Sequence, residues 1–132
     1  MGGWLNYFSV MGLADLLQPK LKSKSLIHQE LTQICKDLTR VSPQIKIFVF
    51  GSVARGQALE TSDYDIAVIL SESLNKAQFK KDFYSQRSRI NTPVDFIFRS
   101  EKEFEKNQFD SAIDQVILSE GVEIYPTWNL HD

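Results

Sequence analysis

The sequence predicts an α/β (α+β) domain with a mixed central β-sheet of three to five strands flanked by helices. Three observations lead there. Runs rich in β-branched and aromatic residues, at residues 45–50, 63–70 and 94–98, read as strands. Stretches with apolar residues at helical spacing alternate with them. The middle run, Ile66-Ala67-Val68-Ile69-Leu70, is apolar on both faces, which implies a central strand covered from both sides.

In chain order, the first segment is fairly apolar from Trp4 to Leu17. It is too short to span a bilayer, and Asn6, Gly12 and Asp15 interrupt it. No positive residue precedes it, so it makes a poor signal peptide, and no membrane partner is expected. Residues 1–24 are read as an N-terminal extension, partly helical. In it Trp4, Tyr7 and Phe8 are either a contact patch or a cover for the core, and Met11 is an alternative start of the compact region. The domain proper is expected over residues 25–126, with 127–132 as a C-terminal tail.

Residues 25–41 read as a helix, with Ile27, Leu31, Ile34, Cys35 and Leu38 on one stripe, Ser25 as a cap and Pro43 as a stop. A strand follows at residues 45–50 and ends at Gly51; a second runs over residues 63–70. A surface helix over residues 74–90 carries Phe79, Phe83 and Ile90, and Asn91-Thr92-Pro93 breaks it. The third strand covers residues 94–98. Ser100-Glu101-Lys102-Glu103 matches a capping box and opens a short helix. Phe109, Ala112, Ile113, Val116 and Ile117 mark a last helix ended by Gly121, and residues 122–125 add an edge strand before Pro126.

The 132 residues suit one domain and leave no length for a second lobe. A net charge of −2 argues against a surface that wraps nucleic acid, although a local metal site can still hold a nucleotide. Cys35 is the only cysteine, so neither an internal disulfide nor a cysteine zinc cluster can form, which fits a reducing cytoplasm. On its helical stripe Cys35 reads as a small buried hydrophobe. The groups Lys20, Lys22, Lys24 and Lys80, Lys81 read as solvated faces. His28 and His131 lie away from the acidic strands and are discounted as bases or zinc ligands.

The chemistry concentrates between residues 50 and 95. In Phe50-Gly51-Ser52-Val53-Ala54-Arg55-Gly56 a strand ends at a glycine, a hydroxyl follows, and a helical turn begins. Free N–H groups at such a turn, with a serine hydroxyl, make a phosphate cradle. Arg55 adds a cation one turn on, free either to touch phosphate or to pair with a carboxylate. Asp63 and Asp65 are two apart, so on a strand their carboxylates share a face. If the third strand pairs beside the second, Asp95 joins them, since cross-strand neighbours lie about 4.5–5.5 Å apart. Three clustered acids are unfavourable without a cation. Their oxygen donors suit Mg2+ or Mn2+, and paired ions can bridge a nucleoside triphosphate during in-line transfer. Each residue also has a plain reading. Asp63 can be a turn residue after Ser62, Asp65 an edge-strand charge, and Asp95 a partner of Arg99 or a lysine.

The segment Phe50-Gly51-Ser52 through Asp63-Tyr64-Asp65 resembles the signature of the polymerase β-like nucleotidyltransferase superfamily, and more narrowly its minimal bacterial and archaeal members. The likeness extends over residues 45–125, including Val94-Asp95-Phe96 and Gly121-Val122-Glu123-Ile124-Tyr125. It implies the superfamily fold, with residues 25–126 as the nucleotidyltransferase domain. By matching position it implies that Gly51 and Ser52 bind the triphosphate, with Arg55 in a phosphate role. Asp63 and Asp65 would bind both metals, and Asp95 would complete the second site and assist the attacking hydroxyl. Minimal members often act with a helical HEPN-type partner as toxin–antitoxin pairs, adding AMP from ATP to a tyrosine of the toxin. The expected function is therefore adenylyl transfer to such a partner. Two alternatives stand beside it: an antitoxin that only masks its partner, and transfer to a small molecule such as an antibiotic across a homodimer. Nucleic acid is not expected as a direct partner.

Overall fold

The structure, a computed structural model, describes residues 20–131. The expectations for residues 1–19, including the patch at Trp4, Tyr7 and Phe8, lie outside the described residues. The elements run α1 (Lys24–Val41), β1 (Ile45–Phe50), β2 (Tyr64–Leu70), α2 (Lys76–Gln86), β3 (Val94–Ser100), α3 (Glu101–Asn107), α4 (Ala112–Glu120) and β4 (Val122–Tyr125).

The strands form one mixed sheet in the order β3-β2-β1-β4. β1 is antiparallel to both neighbours, and β2 runs parallel to β3. This is the architecture the sequence predicts, with β2 central and β4 on the edge. Side chains alternate across the strands and sort the core into two layers. Ile47, Val49, Ile66, Val68 and Phe98 face Leu31, Ile34 and Leu38 of α1 and Phe79 and Phe83 of α2. On the other face Phe50 and Ala67 meet Ile117 of α4, with Phe48, Ile97 and Phe104 packed alongside. Among the described residues no helix is long and apolar enough to cross a membrane.

Several local expectations need correction. Ser23, not Ser25, caps α1, accepting the Leu26 N–H at 3.1 Å. α2 covers residues 76–86 rather than 74–90. Asn75 caps its start, and past its end Asp37 of α1 accepts the Ser88 N–H at 2.8 Å, drawing the chain off the helix. The last helix starts at Ala112, capped by Ser111, and leaves Phe109 outside and 87% exposed. Its apolar stripe does not all face inward: Ile113 and Val116 are exposed, while Ile117 and Asp114 are buried. Arg99 of β3 explains the inversion, because its Nε donates to Asp114 Oδ1 at 3.1 Å and the Ser111 hydroxyl to Oδ2 at 2.5 Å. A buried carboxylate so partnered can hold a helix face against the sheet. Lys22 is buried rather than solvated, and its Nζ donates to Thr92 Oγ1 at 2.8 Å.

Candidate active site

β1 ends where Gly51 takes φ +73°, a left-handed backbone that glycine adopts without strain. The chain then makes a compact turn. Arg55 N–H donates to the Gly51 carbonyl at 3.2 Å, Gly56 N–H to Val53 at 3.1 Å, and Gln57 N–H to Ser52 at 2.8 Å. A Cβ at Gly51 would also meet Asp65 Oδ2 and force that carboxylate to turn aside. The close approach expected of this glycine is thus first to an aspartate of the neighbouring strand.

Register brings the acids together. Phe50 is the cross-strand partner of Asp65 on β1 and β2, and Asp65 is the partner of Asp95 on β2 and β3. Asp63 lies just before β2, two residues from Asp65. An open cleft of about 540 Å3 is lined by Gly51, Ser52, Arg55, Asp63, Asp65 and Glu120, with Ile113 and Val116 as an apolar wall. Asp95 is level with Asp65 in the sheet and exposed, but is not among the residues lining that cleft. A larger cavity, about 690 Å3, lies between the start of α1 and the residues after β4. No carboxylate is among its described lining residues, whereas the smaller cleft is lined by Asp63, Asp65 and Glu120.

The electrostatics follow from this crowding. Partial burial raises the Asp65 pKa above its ordinary 3.8, the charges of Asp95, Asp63 and Glu120 raise it further, and Arg55 partly offsets them. Excess negative charge of this kind suits a cation. Among the described residues no three His, Cys, Asp or Glu side chains are gathered as a ready metal cage. The donor set still fits Mg2+ or Mn2+. Magnesium is usually held by one or two carboxylates together with substrate phosphates, not by an all-protein cage.

Arg55 bonds to Glu120, with Nη1 donating to Oε1 at 3.1 Å, and its Nε donates to Gln57 Oε1 at 3.3 Å. Arg99 pairs with Asp114, so the plain reading of Asp95 as its partner is not met. Glu120 is the site residue that the sequence does not announce. Its Oε1 also accepts the Gly51 N–H at 3.1 Å.

A mixed sheet with a glycine-serine turn at one strand end and aspartates on the next two strands is the polymerase β-like nucleotidyltransferase fold. The chain matches the nucleotidyltransferase domain family over residues 28–122 and belongs to it. No curated relative matches it. Among solved structures it is similar to a candidate nucleotidyltransferase from Sulfolobus solfataricus, at 27% identity over 78% of this chain and 88% of that one, TM-score 0.49. It is also similar to Cid1, described as an RNA terminal uridylyl transferase, at 23% identity over 61% of this chain, TM-score 0.43. A cytoplasmic RNA terminal U-transferase matches at 22% identity over 69% of this chain and 34% of that one, TM-score 0.45. The chain spans only 25% of the Cid1 chain. At these scores the likeness is loose, and it is the family match that places the chain.

Proposed function

We propose that this protein transfers a nucleoside monophosphate, AMP from ATP, to a hydroxyl acceptor, and that the acceptor is a tyrosine of a helical HEPN-type toxin partner. The observation that carries the reading is the convergence of the Gly51-Ser52 turn with Asp65, whose carboxyl is held above its ordinary pKa by partial burial and by the neighbouring acids. Ser52 and the backbone N–H groups of the turn bind the triphosphate. Arg55 adds positive charge beside it. Asp63, Asp65 and Asp95 would hold Mg2+ or Mn2+, which would neutralise phosphate charge and favour departure of pyrophosphate. The acceptor oxygen bonds to the α-phosphorus as the bond to the bridging oxygen breaks, and the hydroxyl proton passes to Asp95. Positioning and charge stabilisation supply most of the rate, so no covalent nucleophile of the protein is needed. Exposed apolar side chains on the helix that borders the cleft, Ile113, Val116 and Leu118, suit a protein acceptor.

The test is incubation with labelled ATP, magnesium and the helical product of the neighbouring gene, followed by mass spectrometry. The partner should gain the mass of one AMP on a tyrosine. Asp63→Asn with Asp65→Asn should fold and lose activity by at least about a hundredfold. No gain of mass with any nucleoside triphosphate would sink the reading. Silencing of the partner by the double variant would favour masking instead, and modification of an added antibiotic would favour the small-molecule acceptor.

A further inference from the structure

The antiparallel register of β1 and β4 pairs Val49 with Val122. Continued by two residues on each strand, it sets Gly51 opposite Glu120. The rung there is made by a side chain. Glu120 Oε1 accepts the Gly51 N–H at 3.1 Å, and the same oxygen accepts Arg55 Nη1 at 3.1 Å. The backbone bond from Arg55 N–H to the Gly51 carbonyl, 3.2 Å, closes the turn from within. One carboxylate oxygen therefore grips both ends of the turn.

Glu120 is itself held in place. It is the last residue of α4, and Gly121 passes the chain directly into β4. The Gly121 N–H donates to the Ile117 carbonyl at 2.8 Å, and a Cβ on Gly121 would strike that same oxygen. With Gly51 and Arg55 engaged, other donors of the turn stay available. Among the described residues, the N–H groups of Ser52, Val53 and Ala54 and the Ser52 hydroxyl have no protein partner.

We propose that Glu120 is a positioning residue for nucleotide binding, its carboxylate locking the Gly51–Arg55 turn in the shape that presents Ser52 and its neighbouring N–H groups to a triphosphate. The proposal rests on the reading that this turn binds a nucleoside triphosphate. Locking the turn in advance removes an ordering cost that binding would otherwise carry. The competing possibility has the opposite sign: an anion seated on Gly51 and Arg55 would exclude phosphate, and its removal would tighten binding.

Titration with the magnesium complexes of the four common ribonucleoside triphosphates separates these outcomes. The wild type should bind at least one of them. For that nucleotide Glu120→Ala should raise Kd and KM about tenfold, with kcat within about twofold. Glu120→Gln, which keeps an oxygen for the Gly51 N–H, should recover most of the loss. A purely structural role would lower Tm and leave Kd where it was, which overturns the proposal, as does unchanged or tighter binding by a folded Glu120→Ala. Should the alanine variant fail to fold, Glu120→Asp decides. It keeps the charge but withdraws it by one methylene, so Kd should rise at least about threefold, and no change overturns the proposal. Absence of binding by the wild type would overturn both this inference and the function it rests on. Binding by the wild type with an indifferent Glu120 would overturn this inference alone.

Discussion

Asp65 is where the cost of the site falls on one side chain. Its pKa is raised, so the folded protein holds that proton more tightly than the unfolded chain does. Its own contribution to stability is therefore most favourable below the ordinary value of 3.8 and declines as the pH rises from there through the raised value. Asp65→Asn removes the charge and should raise Tm at pH 7 by about 2–4 °C, with a flatter stability profile in the weakly acidic range. A Tm at pH 7 equal to or below that of the wild type would contradict this. The nearness of Asp63 to Asp65 was legible as a spacing of two, while Asp95 is level with Asp65 through the parallel register of β2 and β3, which periodicity alone does not give. Cys35 was legible too: it packs against the core, and burial pushes its thiol up to about 12. Glu120 was not, since a glutamate at a helix end ordinarily reads as solvated. Only the register of β1 with β4 shows that it faces Gly51.

At the scale of elements, the junction of β3 and α3 follows directly from local chemistry. Ser100 Oγ accepts the Glu103 N–H at 3.1 Å, and Glu103 Oε1 accepts the Ser100 N–H at 2.9 Å. The Ser100 N–H and Lys76 hold the Glu103 carboxyl below its usual range. Ser100→Ala should cost about 1 kcal/mol of stability in a denaturant titration. This box was visible as Ser-x-x-Glu because capping depends on residues three apart. α4 shows the opposite case. Its apolar spacing gave a helix but not its orientation, since Arg99 reaches in from β3 to bury Asp114 and turns Ile113 and Val116 toward the cleft. The short α2 has the same cause, a tertiary partner in Asp37 that no local pattern encodes.

Across the whole molecule, a buried polar cluster ties the residues before α1 to the strands that carry the acids. Glu30 Oε1 accepts the Tyr64 hydroxyl and the Thr92 hydroxyl, each at 2.7 Å, and Lys22 lies 3.9 Å from the same oxygen. Tyr64 sits between Asp63 and Asp65, and Thr92 precedes β3, so the cluster anchors the acidic ends of both strands. Glu30→Ala would leave Lys22 buried without its counter-charge and should cost about 3–5 kcal/mol. The urea midpoint should fall with an unchanged m value. A loss under about 1 kcal/mol would show that solvent reaches the cluster. The sheet and its two layers were legible because alternation and apolar runs reflect burial directly. The cluster was not, because Lys22 shares its composition with the exposed lysines around it.

The pairing of Gly51 with Glu120 also has a meaning in time. A ribosome delivers the glycine 69 residues before the glutamate that completes its surroundings. A nascent chain halted before α4 would already carry Asp63, Asp65 and Asp95, yet lack the oxygen that seats their neighbouring loop. The turn would gain that oxygen only once α4 is made and Gly121 carries the chain back beside β1.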